Sequence, residues 1–141
     1  MPDPGSIARN YLEMFNRRDW ASMKALFAPE YSYTGSDGVK QQGPDAGVAV
    51  AQMFATAMSD AKIDIKQVHV AGNTAVVEFT GSGTHDGDFA GIAATGRKVT
   101  MPVVTILDIK NDKIAAEREY MDIAHMMQQL GVMPSPAAAN A

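Results

Sequence analysis

In the stretch EREYMDIAHMMQQLG, residues 117 to 131, carboxylates, a guanidinium and a phenol are packed together, then give way to a methionine-rich helical pattern. Side chains two apart on a strand share a face, so Ala116, Arg118, Tyr120 and, where the strand persists, Asp122 form one polar row. The opposite row, Ala115, Glu117, Glu119 and Met121, is expected to face solvent or a second subunit. At about 3.3 Å per residue, Arg118 and Asp122 stand roughly 13 Å apart, with Tyr120 between them to bridge or orient. A carboxylic acid in an apolar pocket has a raised pKa and can exchange a proton with a substrate carbon or enol oxygen near neutral pH. Asp122 therefore has two compatible readings: proton transfer in a pocket, and N-cap of the helix that follows. His125 stands where a capping box would need Glu or Gln, which weakens the second reading slightly.

Other residues can support such chemistry. His85 follows TGSGT, and counting by twos from Val77 and Phe79 puts it on their face unless Gly81 or Gly83 marks a bulge. Its imidazole could polarise a carbonyl or relay a proton, or it could be a structural histidine. An interior Arg118 would want a carboxylate or an anionic substrate, so an ion pair and substrate binding are both open. Tyr11, Phe15, Trp20, Tyr33, Met53, Phe79 and Met101 are the candidate wall of an apolar pocket. The ten methionines suit core filling and an adaptable ligand surface alike. The three histidines show no metal-ligand spacing, and no metal or other cofactor is expected.

These residues need elements to position them. Ile7, Tyr11, Met14 and Phe15 follow helical spacing from Ser6 to about Arg18. Asp19 can cap a short second helix carrying Trp20, Met23, Leu26 and Phe27, stopped by Ala28 and Pro29. YSYTGSDGVKQQG reads as two short strands around Asp37-Gly38, and GPDAGVAVAQMFATAMSDA as a third helix. Two long hairpins follow, turning at Gly72-Asn73 and Asn111-Asp112. A last helix from Asp122 to Leu130 ends at Gly131. Helices segregated to one side of an antiparallel sheet make an α+β fold, and a sheet curled around them would enclose one apolar pocket. Residues 1–133 are read as one domain and 134–141 as a flexible tail.

Composition narrows the function. The chain has 141 residues, 46% of them apolar, a formal net charge of −4 and no cysteine. One core can be buried, and disulfides and cysteine chemistry are excluded. The 12 basic residues are scattered rather than clustered, so nucleic acid is not an expected partner. No apolar run approaches the roughly 20 residues of a membrane span, and the N-terminus lacks the features of a signal peptide. A cytoplasmic location is expected.

The order of elements, with GTHDGDFAGIAATGRKV, NDKI, REYMD and MMQQLG in sequence, resembles the nuclear-transport-factor-2-like superfamily, in particular its polyketide-cyclase-like (SnoaL-like) branch. Ala94 departs from the proline common before TGR, and Asp112 from the glycine common before KI. The resemblance implies a curved sheet wrapped around N-terminal helices as a cone, a homodimer paired through the outer sheet face, and a small apolar ligand. It also implies that Asp122 is the general acid/base of an aldol-type ring closure that uses no cofactor. KIAAEREYMD is similar to the end of limonene epoxide hydrolase, but that family needs a second carboxylate beside an arginine on the neighbouring strand, where this chain has GSGTHDG, so the triad looks incomplete. An epoxide hydrolase or isomerase, and a non-catalytic ligand-binding or dimerisation module, remain alternatives on the same frame.

Overall fold

The computed structural model describes residues 2–133. The first helix, α1 (Pro4–Arg17), starts where Asp3 accepts a hydrogen bond from Ser6 N at 2.7 Å and Pro4 occupies a position whose N–H would have no helical partner. Ile7, Tyr11, Leu12 and Phe15 are buried along one side of it, as their spacing predicts. Arg18 closes the helix with φ of 57°, and its guanidinium donates to the carbonyls of Phe15 and Ala61 at 2.8 Å each. Asp19 caps α2 (Trp20–Leu26) through Ser22 N.

The sequence reading carried this second helix through Phe27. Instead Phe27 opens strand β1 (Phe27–Thr34), where its ring stacks on Tyr31 with centroids 3.8 Å apart. Burial of that aromatic pair outweighs the local helical pattern. The short strand β2 (Lys40–Gln42) pairs back on β1, and α3 (Pro44–Ala57) follows. The four long strands are β3 (Lys62–Ala71), β4 (Thr74–Thr84), β5 (Lys98–Lys110) and β6 (Lys113–Met121). Gly72, Asn111 and Asp112 take positive φ at the two hairpin turns, as their types favour. The last helix, α4 (Ile123–Leu130), ends at Gly131 with φ of 78°. The tail, residues 134–141, lies outside the described residues.

The strands form one curved, unclosed sheet in the order β2-β1-β6-β5-β4-β3. It is the expected α+β architecture with one refinement: β1 and β6 run parallel, and the other pairs are antiparallel. Helix α1 packs on β3 and β4, α3 on β1, and α4 on β5. Asn16 fastens α1 to the edge strand β3, donating to Ile63 O at 2.9 Å and accepting from Ile63 N at 2.8 Å. No helix among the described residues is long and apolar enough to cross a membrane.

One irregularity decides which side chains point inward. Along β5, burial alternates so that Val99, Met101, Val103, Thr105, Leu107 and Ile109 face the core. Opposite them, Ile109 pairs with Ile114 but Asp108 pairs with Ala116, so β6 carries Ala115 as an extra residue. A bulge of this kind shifts the alternation by one, which exchanges the two faces of the strand beyond it. Ile114 and then Glu117 are buried, three positions apart instead of two.

Candidate functional site

The expected facing of β6 is therefore reversed. Glu117, Glu119 and Met121, expected on the outer side, reach the lining of a cavity of about 110 Å³ between the sheet and the helices. Arg118, Tyr120 and Asp122, expected on the inner side, lie on the outer one. Arg118 donates to Asp108 Oδ2 at 2.7 Å, and both side chains are partly exposed. That pair answers the question of what balances the guanidinium, and the hydrogen bond from Arg118 holds the Asp108 carboxyl below its ordinary range. Tyr120 is 47% exposed. With Asp122, Lys66 and Glu78 it borders a shallow depression on the outer face. Asp122 is exposed and accepts from His125 N at 3.0 Å, as Asp3 and Asp19 do for the first two helices. It caps α4 and does not reach the cavity.

The proposed wall divides in the same way. Tyr11, Phe15, Tyr33, Phe79 and Met101 line the cavity. Trp20 sits behind Phe15, edge to face at 6.0 Å, and Met53 is turned outward; neither belongs to the lining. His85 is buried and continues the inward row of β4 with no bulge, since the β4–β5 register is unbroken. Its Nδ1 accepts from Thr95 N at 3.2 Å, which leaves the proton on Nε2, and that nitrogen has no protein partner. Met58 and Ala61 cover Gly83, the preceding position of the row, and His85 is not among the cavity-lining residues.

What the sequence reading missed is a pair of carboxylates with phenols around them. Glu117 is 2% exposed. Its Oε1 accepts from Tyr11 Oη at 2.5 Å and from Tyr31 Oη at 2.7 Å, and its Oε2 accepts from Thr105 Oγ1 at 2.7 Å. Burying a carboxyl costs several kcal/mol unless its lone pairs are satisfied, and here four different elements supply the carboxyl and its three donors. Burial nevertheless pushes the Glu117 pKa up, against the opposing pull of the three hydroxyls. Burial and the adjacent carboxyl push the Tyr11 and Tyr31 phenols up too, so both remain donors.

Glu119, two residues on, points into the same cavity. It is half-buried and belongs to the cavity lining. Tyr33 Oη donates to its Oε1 at 3.0 Å. Loss of solvent, followed by the nearby Glu117, raises its pKa to about 8, with the Tyr33 hydrogen bond pulling the other way. The rest of the lining is largely aliphatic, aromatic or thioether, including Met58, Ile63, Phe79 and Met126. The lining's cation, Lys62, is exposed. The arrangement is thus an acid of near-neutral pKa, with a phenol on one oxygen, opening on an apolar space.

Two signals could have found this pair. Ile114 and Met121 are both apolar at an odd separation, which no regular strand can place on one face. Thr105 is also the polar exception in the apolar row of β5, and it lies directly opposite Glu119.

The sequence model of the SnoaL-like polyketide cyclase family matches residues 5–130, and the chain belongs to that family. No curated protein matches the chain. Among solved structures it is similar to AclR of Streptomyces galilaeus, provisionally assigned as a hydroxylase, with a TM-score of 0.83 and 18% identity over 94% of this chain and 83% of that one. It is also similar to IdmH of Streptomyces antibioticus, provisionally assigned as a polyketide cyclase, with a TM-score of 0.81 and 21% identity over 93% of this chain and 100% of that one. A Pseudomonas putida protein with the same provisional assignment aligns with a TM-score of 0.81 and 22% identity, over 92% and 98% of the two chains. At these identities the likeness establishes the fold, and the reaction has to be argued from the site.

Proposed function

We propose that the protein is a small-molecule enzyme that catalyses cofactor-independent acid/base chemistry, of the aldol-cyclisation or isomerisation kind, with Glu119 as the proton-transfer group. The observation that carries this reading is the single partly accessible carboxyl in an apolar cavity, with Tyr33 hydrogen-bonded to one of its oxygens at 3.0 Å. A pKa near 8 lets Glu119 serve as base and acid within one cycle near neutral pH.

In the proposed cycle, the Glu119 carboxylate takes the α-proton of a substrate whose flanking carbonyls make that carbon acidic. The resulting enolate attacks a second carbonyl of the same molecule, forming the ring's carbon–carbon bond and an alkoxide. Glu119, now protonated, returns the proton to that oxygen. Substrate and product are isomers, and no electron acceptor or second substrate is consumed. Tyr33 holds the carboxyl in place and helps balance charge as the proton leaves. Glu117, held by Tyr11, Tyr31 and Thr105, acts on Glu119 as a fixed neighbour rather than on the substrate. Asp122 is assigned to capping α4, and the family's expectation of an acid/base at this position passes to Glu119. His85, buried behind the Gly83 contact, is assigned a structural place at the end of β4.

The outer sheet face, with Tyr120 exposed on it, is proposed as the surface that pairs two copies, which sedimentation analysis would test. The catalytic reading is tested by comparing Glu119→Gln with Asp122→Asn on 1,3-dicarbonyl compounds in D2O, following α-proton exchange by NMR. Exchange that survives Glu119→Gln unchanged would sink the assignment.

A further inference from the structure

The cavity has a polar end at the glutamates and, further along β4, a place where the strand residue Gly81 carries no side chain. Across the sheet Glu119 pairs with Thr105, and Thr105 pairs with Val77 on β4. Four residues further along β4, on the same inward face, Gly81 lines the cavity opposite Met101. At about 3.3 Å per residue the two levels are roughly 13 Å apart along the strand.

The inward glycines differ in what their missing side chains leave room for. A Cβ on Gly83 would meet Met58 Cβ at 2.8 Å and Met58 Sδ at 3.0 Å. A Cβ on Gly47, also in the lining, would meet the Tyr31 ring at 2.5 Å and the Phe27 ring at 2.8 Å. Those two glycines are required by the packing of the protein itself. A Cβ on Gly81 would have only Phe79 Cε2 within 4 Å, at 3.9 Å, and the residue lies in a strand with no positive φ. Neither backbone conformation nor packing requires glycine there, and glycine weakens a strand relative to residues with side chains. The space it leaves belongs to the cavity.

We propose that Gly81 determines ligand length in this pocket, whose substrate is a neutral molecule with its carbonyl-bearing end at Glu119 and a hydrocarbon body extending to Gly81. This rests on the reading of Glu119 as the group that meets the substrate oxygen, and extends it to the far end of the site. The lining favours a neutral ligand: its charged groups are the two glutamates and the exposed Lys62, so an anion would enter without a buried counter-ion, and a cation would require ionisation of glutamates that burial holds towards their neutral form.

The test is a titration of the full chain, labelled with 13C-methyl methionine, with 2-alkanones from 2-butanone to 2-undecanone. Met58, Met101, Met121 and Met126 line the cavity and report occupancy directly. In the wild type, affinity is expected to rise roughly fourfold per methylene and then level off once the chain reaches Gly81. Gly81→Leu is expected to leave the shortest ketones within about threefold of wild type and to weaken the longest by about tenfold or more. Gly81→Ala should move the plateau to a shorter chain, and serves as the variant read if the leucine does not fold. Thr80→Val, on the opposite face of β4, should leave the whole series unchanged. A folded Gly81→Leu or Gly81→Ala protein with the wild-type length profile, or with equal losses at every length, overturns the proposal while leaving the Glu119 reading in place. If no ketone shifts the methionine methyls of the wild type, the neutral-carbonyl reading of the pocket fails and the length proposal fails with it.

Discussion

The two faces of β6 carry similar chemistry in opposite surroundings. On the outer face Arg118 and Asp108 meet as a partly exposed pair, and Asp122 caps a helix in solvent. On the inner face Glu117 and Glu119 are crowded together with no cation against them, held by phenols and a threonine hydroxyl. The Arg118 hydrogen bond stabilises the Asp108 carboxyl as an anion, and Asp122 serves as the cap of α4. The inner pair resists ionisation, and that resistance makes proton exchange near neutral pH accessible. Residue type alone does not mark a catalytic acid; the dielectric around it and its neighbours' charges do.

The sharpest way to break this comparison is to neutralise one acid on each face. Glu119→Gln is expected to lower kcat by about 10²–10⁴-fold on any substrate the wild type turns over, which is the usual share of a general acid/base. Asp122→Asn should stay within about threefold of wild type, since asparagine caps nearly as well as aspartate. Equal losses in the two variants would dissolve the distinction between the faces.

Stability separates them next. Glu117→Ala leaves the hydroxyls of Tyr11, Tyr31 and Thr105 without their acceptor and opens a void, so urea unfolding should show a loss of about 3–5 kcal/mol. Arg118→Ala removes a partly exposed pair and should cost about 1 kcal/mol or less.

The fold was more legible than the site. The long hairpins announce themselves through alternation and turn residues such as Gly72-Asn73 and Asn111-Asp112, and α1 through its spacing and its Asp3-Pro4 start. These are local signals acting over a few residues. The facing of β6 is set by one extra residue, Ala115, and a bulge leaves no strong mark in composition. Strict alternation from Ile114 puts Arg118 and Tyr120 inside; the actual register puts Glu117 and Glu119 there. The aromatic wall was legible where it coincided with core spacing, as for Tyr11, Phe15 and Phe79. It failed for Met53 and Trp20, whose helices turn them away from the cavity. The three hydroxyls that satisfy Glu117 come from positions 11, 31 and 105, so only the tertiary structure assembles them.

The pH dependence of stability extends the comparison. The folded-state pKa of Glu119 is raised to about 8 from an ordinary 4.5, so between these values the native state holds a proton that the unfolded chain has released. Stability from this group is fully present below about pH 4.5 and is lost as pH rises towards 8, with a slope of up to about 1.4 kcal/mol per unit. Asp108 has the opposite sign: its depressed pKa contributes above its unfolded value and is lost as pH falls through the folded one. Urea midpoints should therefore decline from about pH 5 to 8 in the wild type, and Glu119→Gln should flatten most of that decline. Asp122→Ala is expected to cost about 1 kcal/mol for the loss of the cap on α4, an effect as small as that of Arg118→Ala and read from the same unfolding curves.

The most direct test of the central claim is a carbon-detected NMR titration of the glutamate side-chain carboxyls, with Glu119→Gln used to assign the Glu119 signal. The arrangement described here predicts a midpoint near 8, with the Glu117 signal disturbed in the variant. A Glu119 midpoint at about 4.3, the value of a freely solvated glutamate, would contradict it and remove the basis for placing the chemistry on the inner face of β6.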